Sequence, residues 1–182
     1  MKYGEIVLTS EKNILLRPAT VSDQPVLVDL ARRIWTATYR GLITDSQIDY
    51  MIDWMYSETT LARELDSGVR WDILYAEGNP AGYLSYETVE PLTVRLHKIY
   101  LLPDQQGKSL GRRMIERVET FAKDSGASRI VLTVNKGNER AQAFYRRCGF
   151  ETIDSIVKDI GNGFIMDDYL MEKKLRPSGN MT

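Results

Sequence analysis

Two stretches of this chain combine reactive side chains with the spacing to use them. Leu101-Leu102-Pro103-Asp104-Gln105-Gln106-Gly107-Lys108-Ser109-Leu110-Gly111-Arg112-Arg113-Met114-Ile115 reads as the end of an apolar strand, a Gln/Gly/Lys loop and the opening of an amphipathic helix. Free main-chain N–H groups gather at a helix start, and the helix dipole favours negative charge there. The pattern is therefore a seat for a phosphate or pyrophosphate. Further on, Asn138-Glu139-Arg140-Ala141-Gln142-Ala143-Phe144-Tyr145-Arg146-Arg147-Cys148-Gly149-Phe150 places Ala141, Phe144, Tyr145 and Cys148 on one helical face. A phenol of pKa about 10 stays protonated at neutral pH, so Tyr145 can donate a proton; it can equally be a core aromatic.

Two familiar phosphate motifs are excluded. Gly107-Lys108-Ser109 imitates the end of a P-loop, but the first glycine of that pattern falls on Leu102. Gly161-Asn162-Gly163 hints at a dinucleotide fingerprint, but its third glycine falls on Met166 and no helical pattern follows. The chain is read as neither an NTPase nor a Rossmann dehydrogenase. A formal charge of −1 argues against a nucleic-acid surface. No apolar run has the roughly 20 residues of a membrane helix, and Met1-Lys2-Tyr3-Gly4-Glu5 lacks a signal-peptide core. The expectation is a cytoplasmic protein without membrane or nucleic-acid partners. Cys148 is the only cysteine, so no internal disulfide and no metal site are expected. It precedes Gly149 at a helix C-terminus, where the dipole disfavours a thiolate, and a covalent role for it is rejected.

These motifs must be carried by elements. Ile14–Pro18 reads as a first strand, and Ser22 and Asp23 offer caps to a helix bearing Val26, Leu27, Leu30 and Ile34. Asp45 reads as the cap of a second helix, and a third spans about Glu58 to Leu65. Strands follow over Trp71–Ala76, Ala81–Thr88 and Thr93–Leu102, the first two joined by a Gly78-Asn79-Pro80 turn. A helix from Leu110 closes near Gly126, and Arg129–Val134 reads as a buried strand. A helix over Asn138–Cys148 ends at a left-handed Gly149 with Phe150 folding back, and strands near Thr152–Asp159 and Phe164–Lys173 close the chain. The order β-α-α-β-β-β-α-β-α-β-β implies an α/β (α+β) fold: a mixed, mostly antiparallel sheet with helices on both faces. Residues 1–175 are read as one domain and 176–182 as a frayed tail.

The pattern N-x-x-A-x-x-F-Y-x-x-x-G-F over 138–150, with the Gln/Gly loop, closely resembles the GNAT superfamily of acetyl-CoA-dependent N-acetyltransferases. The resemblance runs from about Ile14 to Leu175. The helix-rich first third and Asp159–Tyr169 look most like the PaiA-type polyamine acetyltransferases. The family's loop pattern Q/R-x-x-G-x-G/A falls on Gln106-Gly107-Lys108-Ser109-Leu110-Gly111, implying that these amides hold the CoA diphosphate. Ser109 stands where the pattern has glycine, so binding is expected to survive with altered local geometry. The resemblance further implies that Ile99, Tyr100 and Leu101 lie along the pantetheine arm, that Asn138 contacts it, and that Tyr145 sits near the CoA sulfur.

Amide formation needs a neutral amine, yet an alkyl amine near pKa 10 is about 99.9% protonated at neutral pH, a handicap of roughly 4 kcal/mol. Something must accept its proton. Resembling enzymes often carry a glutamate or histidine at or near Arg95, which cannot; His97, the only histidine, lies two positions on and inherits the role. A water chain ending on Glu87 is the alternative. Tyr145 is the acid for the departing thiolate, and direct attack without a covalent enzyme intermediate is the family-typical route. For the acceptor, carboxylates beside aromatic faces would suit a polyamine. Trp35, Tyr39 and Glu87 are the foremost candidates, beside Asp45, Asp49, Tyr50, Asp53, Trp54, Asp167 and Asp168. Core packing for the tryptophans and capping or solvation for the aspartates remain open alternatives. The expected partner is a small-molecule amine, with acetyl-CoA as cosubstrate; a homodimer is left open. Rival readings are a protein N-terminal or lysine acetyltransferase and a non-catalytic CoA-binding regulatory module.

Overall fold

The apolar period changes near residue 70, and the architecture changes with it. In the computed structural model, which describes residues 13–175, β1 (Ile14–Pro18) is followed by α1 (Gln24–Tyr39), α2 (Asp45–Met55) and α3 (Glu58–Asp66). Then come β2 (Arg70–Ala76), β3 (Asn79–Glu90), β4 (Thr93–Leu101), α4 (Leu110–Asp124), β5 (Arg129–Asn135), α5 (Glu139–Arg147), β6 (Glu151–Gly161) and β7 (Phe164–Lys174). The strand order is β1-β2-β3-β4-β5-β7-β6, a mixed sheet in which β4 and β5 run parallel. The tail expected over 176–182 lies outside the described residues.

Local chemistry explains where the element ends differ from the sequence reading. The turn before β3 is Glu77-Gly78, both with positive φ (53° and 80°), as a two-residue type I′ hairpin requires. Asn79 and Pro80 therefore already belong to β3 rather than to the turn. The cap of α2 is Thr44, whose hydroxyl accepts from the Gln47 N–H at 3.2 Å; Asp45 sits in the first turn instead. Asp23 ends a short 3-10 turn (Val21–Asp23), stands at the N-cap of α1 and is held by Arg17 at 2.7 Å. At the other end, Gly149 takes φ 88° and the Phe150 N–H returns to the Tyr145 carbonyl, the expected left-handed close.

The chain resolves into two compact units, Met1–Ser85 with Lys98–Gly111, and Tyr86–His97 with Arg112–Thr182. In the first, Leu27, Leu30, Ala31 and Ile34 of α1 and Ile48 and Ile52 of α2 are buried, as are Ile73 and Leu74 of β2. Trp35, Tyr56, Trp71 and Tyr83 are also each no more than 2% exposed. Burial obliges their polar tips to find partners. The Trp35 indole donates to the Tyr83 hydroxyl (3.2 Å), which meets the Tyr56 hydroxyl (2.7 Å), and the Trp71 indole donates to Glu64 (2.9 Å). In the second unit β5 pairs with β4 from Thr93↔Arg129 to Leu96↔Leu132 and with β7 from Arg129↔Lys174 to Asn135↔Asp168. Alternation buries Ile130, Leu132 and Val134 on one face, while Thr133 on the other is exposed. Lys173 pins α4 and α5 to β7 by donating to Glu119 and to the Cys148 carbonyl, each at 2.6 Å.

Candidate active site

The loop 106–111 is built from two left-handed residues. Gly107 has φ 79° and Ser109 φ 61°. Serine thus adopts the conformation that glycine takes readily, at a strain of about 1 kcal/mol. A Cβ built on Gly107 would meet nothing within 4 Å, so the loop surface is open and the glycine is needed for conformation rather than space. Left-handed residues at a helix start turn successive N–H groups inward, which suits a diphosphate. The Gln106 side chain ties the loop back to the Leu101 carbonyl at 3.1 Å, and Lys108 reaches Gln105 at 3.1 Å. Leu110 is buried and anchors the first turn of α4.

The end of β4 has two edges. The Leu102 N–H donates to the Ala81 carbonyl at 2.9 Å, so by alternation Tyr100 addresses β3 with its main chain. Ile99 and Leu101 address the opposite edge. Of the three residues expected beside a pantetheine arm, these two have main-chain groups on that side. Gly82 lets the strands meet there: a Cβ would stand 2.4 Å from the Tyr100 carbonyl oxygen. The Tyr100 hydroxyl instead meets that of Tyr39 at 3.1 Å.

The structure joins two candidates that the sequence holds ten positions apart. The His97 Nε2 lies 2.8 Å from Glu87 Oε1, with both side chains about a quarter to a third exposed. A carboxylate on one imidazole nitrogen fixes the ring and supports its protonated form, so the other nitrogen can take up a proton. The pair stands on the sheet face that carries Thr93 and Arg95, whose β5 partners are Arg129 and Val131.

On α5, the Asn138 side-chain oxygen caps the helix by accepting from the Ala141 N–H at 3.1 Å, which leaves its NH2 to address a ligand. Tyr145 is 8% exposed, with its ring 5.4 Å from that of Phe144 and 5.9 Å from that of Phe150. Packing fixes its orientation, so the packing and acid readings are compatible. Cys148 is buried, and burial pushes its thiol up, with Arg112 opposing.

Trp35, taken from sequence for an acceptor-binding aromatic, is 2% exposed and its indole N–H is committed to Tyr83; its place is the core. Tyr39 is half-buried beside it, ring to ring at 5.1 Å. Two charged groups went unnoticed in the sequence. Lys98 is 9% exposed, 3.5 Å from Glu64 and 4.5 Å from the Trp71 ring centre; desolvation lowers its pKa, with Glu64 opposing. They lie 34 positions apart, and no local pattern signals their pairing. The adjacent aspartates 167 and 168 point to opposite faces by strand alternation. Asp167 pairs with Lys136 at the surface, whereas Asp168 is 6% exposed and burial pushes its carboxyl up to about 6.

The acetyltransferase (GNAT) family model matches residues 28–150, so the chain belongs to that family. It is an acetyl-CoA-dependent N-acetyltransferase. A curated relative, the spermidine N(1)-acetyltransferase of Thermoplasma acidophilum, is 27% identical over 167 residues, 89% of this chain and 98% of its own. Among solved structures, the PaiA N-acetyltransferase of Thermoplasma acidophilum in complex with coenzyme A has a TM-score of 0.77 at 24% identity, covering 90% of this chain and 99% of its own. The ribosomal-protein-S18-alanine N-acetyltransferase of Escherichia coli has a TM-score of 0.69 at 19% identity, covering 93% and 98%. At such identities these structures share the fold.

Proposed function

We propose that the protein transfers the acetyl group of acetyl-CoA to a primary amine of a polyamine by direct attack of the amine on the thioester. The main-chain N–H groups of Gln106–Gly111 hold the diphosphate; Ile99, Leu101 and the Asn138 NH2 hold the pantetheine arm. The thioester supplies the activated carbonyl. His97, oriented by Glu87, takes the proton that makes the acceptor nucleophilic, and Tyr145 supplies one to the departing thiolate. As the C–N bond forms, the C–S bond breaks; the second proton leaving the nitrogen restores the Tyr145 hydroxyl, and the first passes from His97 to solvent. The observation that carries this reading is the 2.8 Å His97–Glu87 pair, a supported base at the surface of the sheet. The acceptor class draws support from the named activity of the spermidine relative, which matches nearly end to end.

The test is thiol release from acetyl-CoA by the purified protein with spermidine, with a peptide bearing an N-terminal alanine, and with no acceptor. Spermidine-dependent release supports the reading. Release only with the peptide moves the acceptor to a protein N-terminus, and CoA binding without release on either would leave a binding module.

A further inference from the structure

β6 ends the sheet: it pairs with β7 on one side, and no described strand lies on the other. Residues 151–159 are all exposed, the apolar Ile156 and Val157 at 36% and 65% on opposite faces. The direction of the β6 main chain follows from β7. The Lys136 N–H donates to the Asp167 carbonyl at 3.0 Å, so Asp167 addresses β5 and, by alternation, Asp168 addresses β6. Ile156, the partner of Asp168, therefore turns its main chain toward β7, while Ser155 and Val157 present theirs to the open edge. In the single chain the Asp154 carboxylate covers that edge by accepting from the Ser155 N–H at 2.7 Å. An exposed edge of this kind is a template for another strand.

The side chains of β6 suit a second copy of the same strand. An antiparallel two-fold centred on Ile156 sets Asp154 of each copy against Lys158 of the other, and Ser155 against Val157. Asp154, Ile156 and Lys158 share one face by alternation, so two ion pairs flank an Ile156–Ile156 contact at the axis. Outward-facing residues must meet outward-facing residues, so the register slides only by two residues at a time. A step either way sets Asp154 against Ile156 or Ile160 and loses both ion pairs. Register shifts between Thr152 and Asp154 and between Asp159 and Gly161 bracket the stretch, leaving 154–159 regular and without proline. A lysine on an edge ordinarily blocks pairing; here the two-fold supplies its carboxylate.

We propose that β6 is the surface through which two copies of this chain pair edge to edge, antiparallel about Ile156. The Val157 carbonyl of one copy takes the Ser155 N–H of the other, which releases Asp154 to Lys158 across the axis. Ile156 then stands in a non-hydrogen-bonded pair, the closer kind, with the two Cα atoms about 4.5 Å apart.

The test follows the molecular mass of the full-length protein against concentration by analytical ultracentrifugation. The parent is expected to self-associate. Lys158→Asp and Asp154→Lys should each raise the dimer dissociation constant about tenfold, and the variant carrying both should return near the parent. Val157→Pro, which removes an outward N–H and none from the β7 ladder, should leave a monomer. Ile156→Cys should form a disulfide-linked dimer under mild oxidation, because the axis brings the two Cα atoms within bridging distance, whereas Asp159→Cys should not; the native Cys148 is buried. All these positions are exposed, and circular dichroism checks that each variant keeps the fold. A parent that stays monomeric at every concentration overturns the proposal and leaves the edge to an extended segment of another protein. A dimer that ignores the charge reversals, is not recovered by the double swap or fails to cross-link at Ile156 also overturns it, since the copies then meet elsewhere or in another register.

Discussion

The two units differ in where their most perturbed charged groups stand. In the first, Glu64 receives both the Trp71 indole and the Lys98 amino group, and Arg17 grips Asp23 so firmly that the carboxyl is held at about 2. In the second, burial pushes the Asp168 carboxyl up to about 6, and His97 and Glu87 stand paired but partly open to solvent. Satisfied burial serves architecture, because each partner offsets the desolvation of the other. A pair open to solvent adds little to a resting fold, yet it leaves a base within reach of a reaction. Mutations in the first unit's charged cluster should therefore move stability, and those at His97 and Glu87 should move turnover.

The largest effect belongs to the base. His97→Ala is expected to lower kcat by about a thousandfold, within the range of a lost general base, while the urea midpoint stays put. Glu87→Gln should fall between, because the imidazole remains but loses its support. A fall in stability that matched the fall in rate would erase the contrast between the units.

The complementary prediction lies at Glu64. Glu64→Leu leaves the Lys98 amino group buried against Trp71 with no carboxylate, a loss of about 3 kcal/mol in urea unfolding. Adding Lys98→Met removes the stranded charge and should restore part of that loss, the remainder being the Trp71 indole N–H left without its acceptor. Independent losses that simply add would mean that the two groups do not work as a pair.

How far the sequence revealed these regions depends on whether the deciding interaction is local. β1, α3 and the Gly149 close were legible because strand alternation, Ser57 capping Thr60 and a left-handed glycine act within a few residues. The loop that ends where α4 opens at Leu110 was legible for the same reason. The role of Trp35 was not, since whether a tryptophan on an apolar helix face ends in the core depends on Tyr83, 48 positions away. Nor could the sequence say which of Asp167 and Asp168 would be buried. Parity separates the two, but only the β5–β7 register decides which face is closed.

The two aspartates Asp23 and Asp168 also predict opposite responses to pH. Asp168 titrates at about 6 in the fold against an ordinary 3.8, so between those values the folded chain keeps a proton that the unfolded chain has lost. Stability contributed by Asp168 therefore falls as pH rises from about 4 to 6, by about 3 kcal/mol, and Asp168→Asn should abolish that decline. Asp23, held at about 2 by Arg17, has the reverse sign: its contribution is present above about 4 and drains away as pH falls toward 2. Urea unfolding from pH 3 to 8 checks both limbs, and a decline that persists in the asparagine variant would locate it elsewhere.

The smallest effect concerns Ser109, a residue of the first unit with a strained backbone at φ 61° beside a loop with ample room. Strain and hydroxyl can be separated by two substitutions. Ser109→Gly removes both and should raise stability by about 0.5 to 1 kcal/mol, the relief of a left-handed L-residue less the added freedom of the unfolded chain. Ser109→Ala keeps the strain and removes only the hydroxyl, so its stability should barely change. If the serine hydroxyl donates to the diphosphate, both variants bind CoA more weakly by the same few-fold factor in calorimetry, about the worth of one hydrogen bond. If only the backbone shape matters, glycine binds as well as serine does, and the residue is a tolerated substitute. A glycine variant that was less stable than the parent would mean that the left-handed conformation is imposed by contacts of the serine side chain itself.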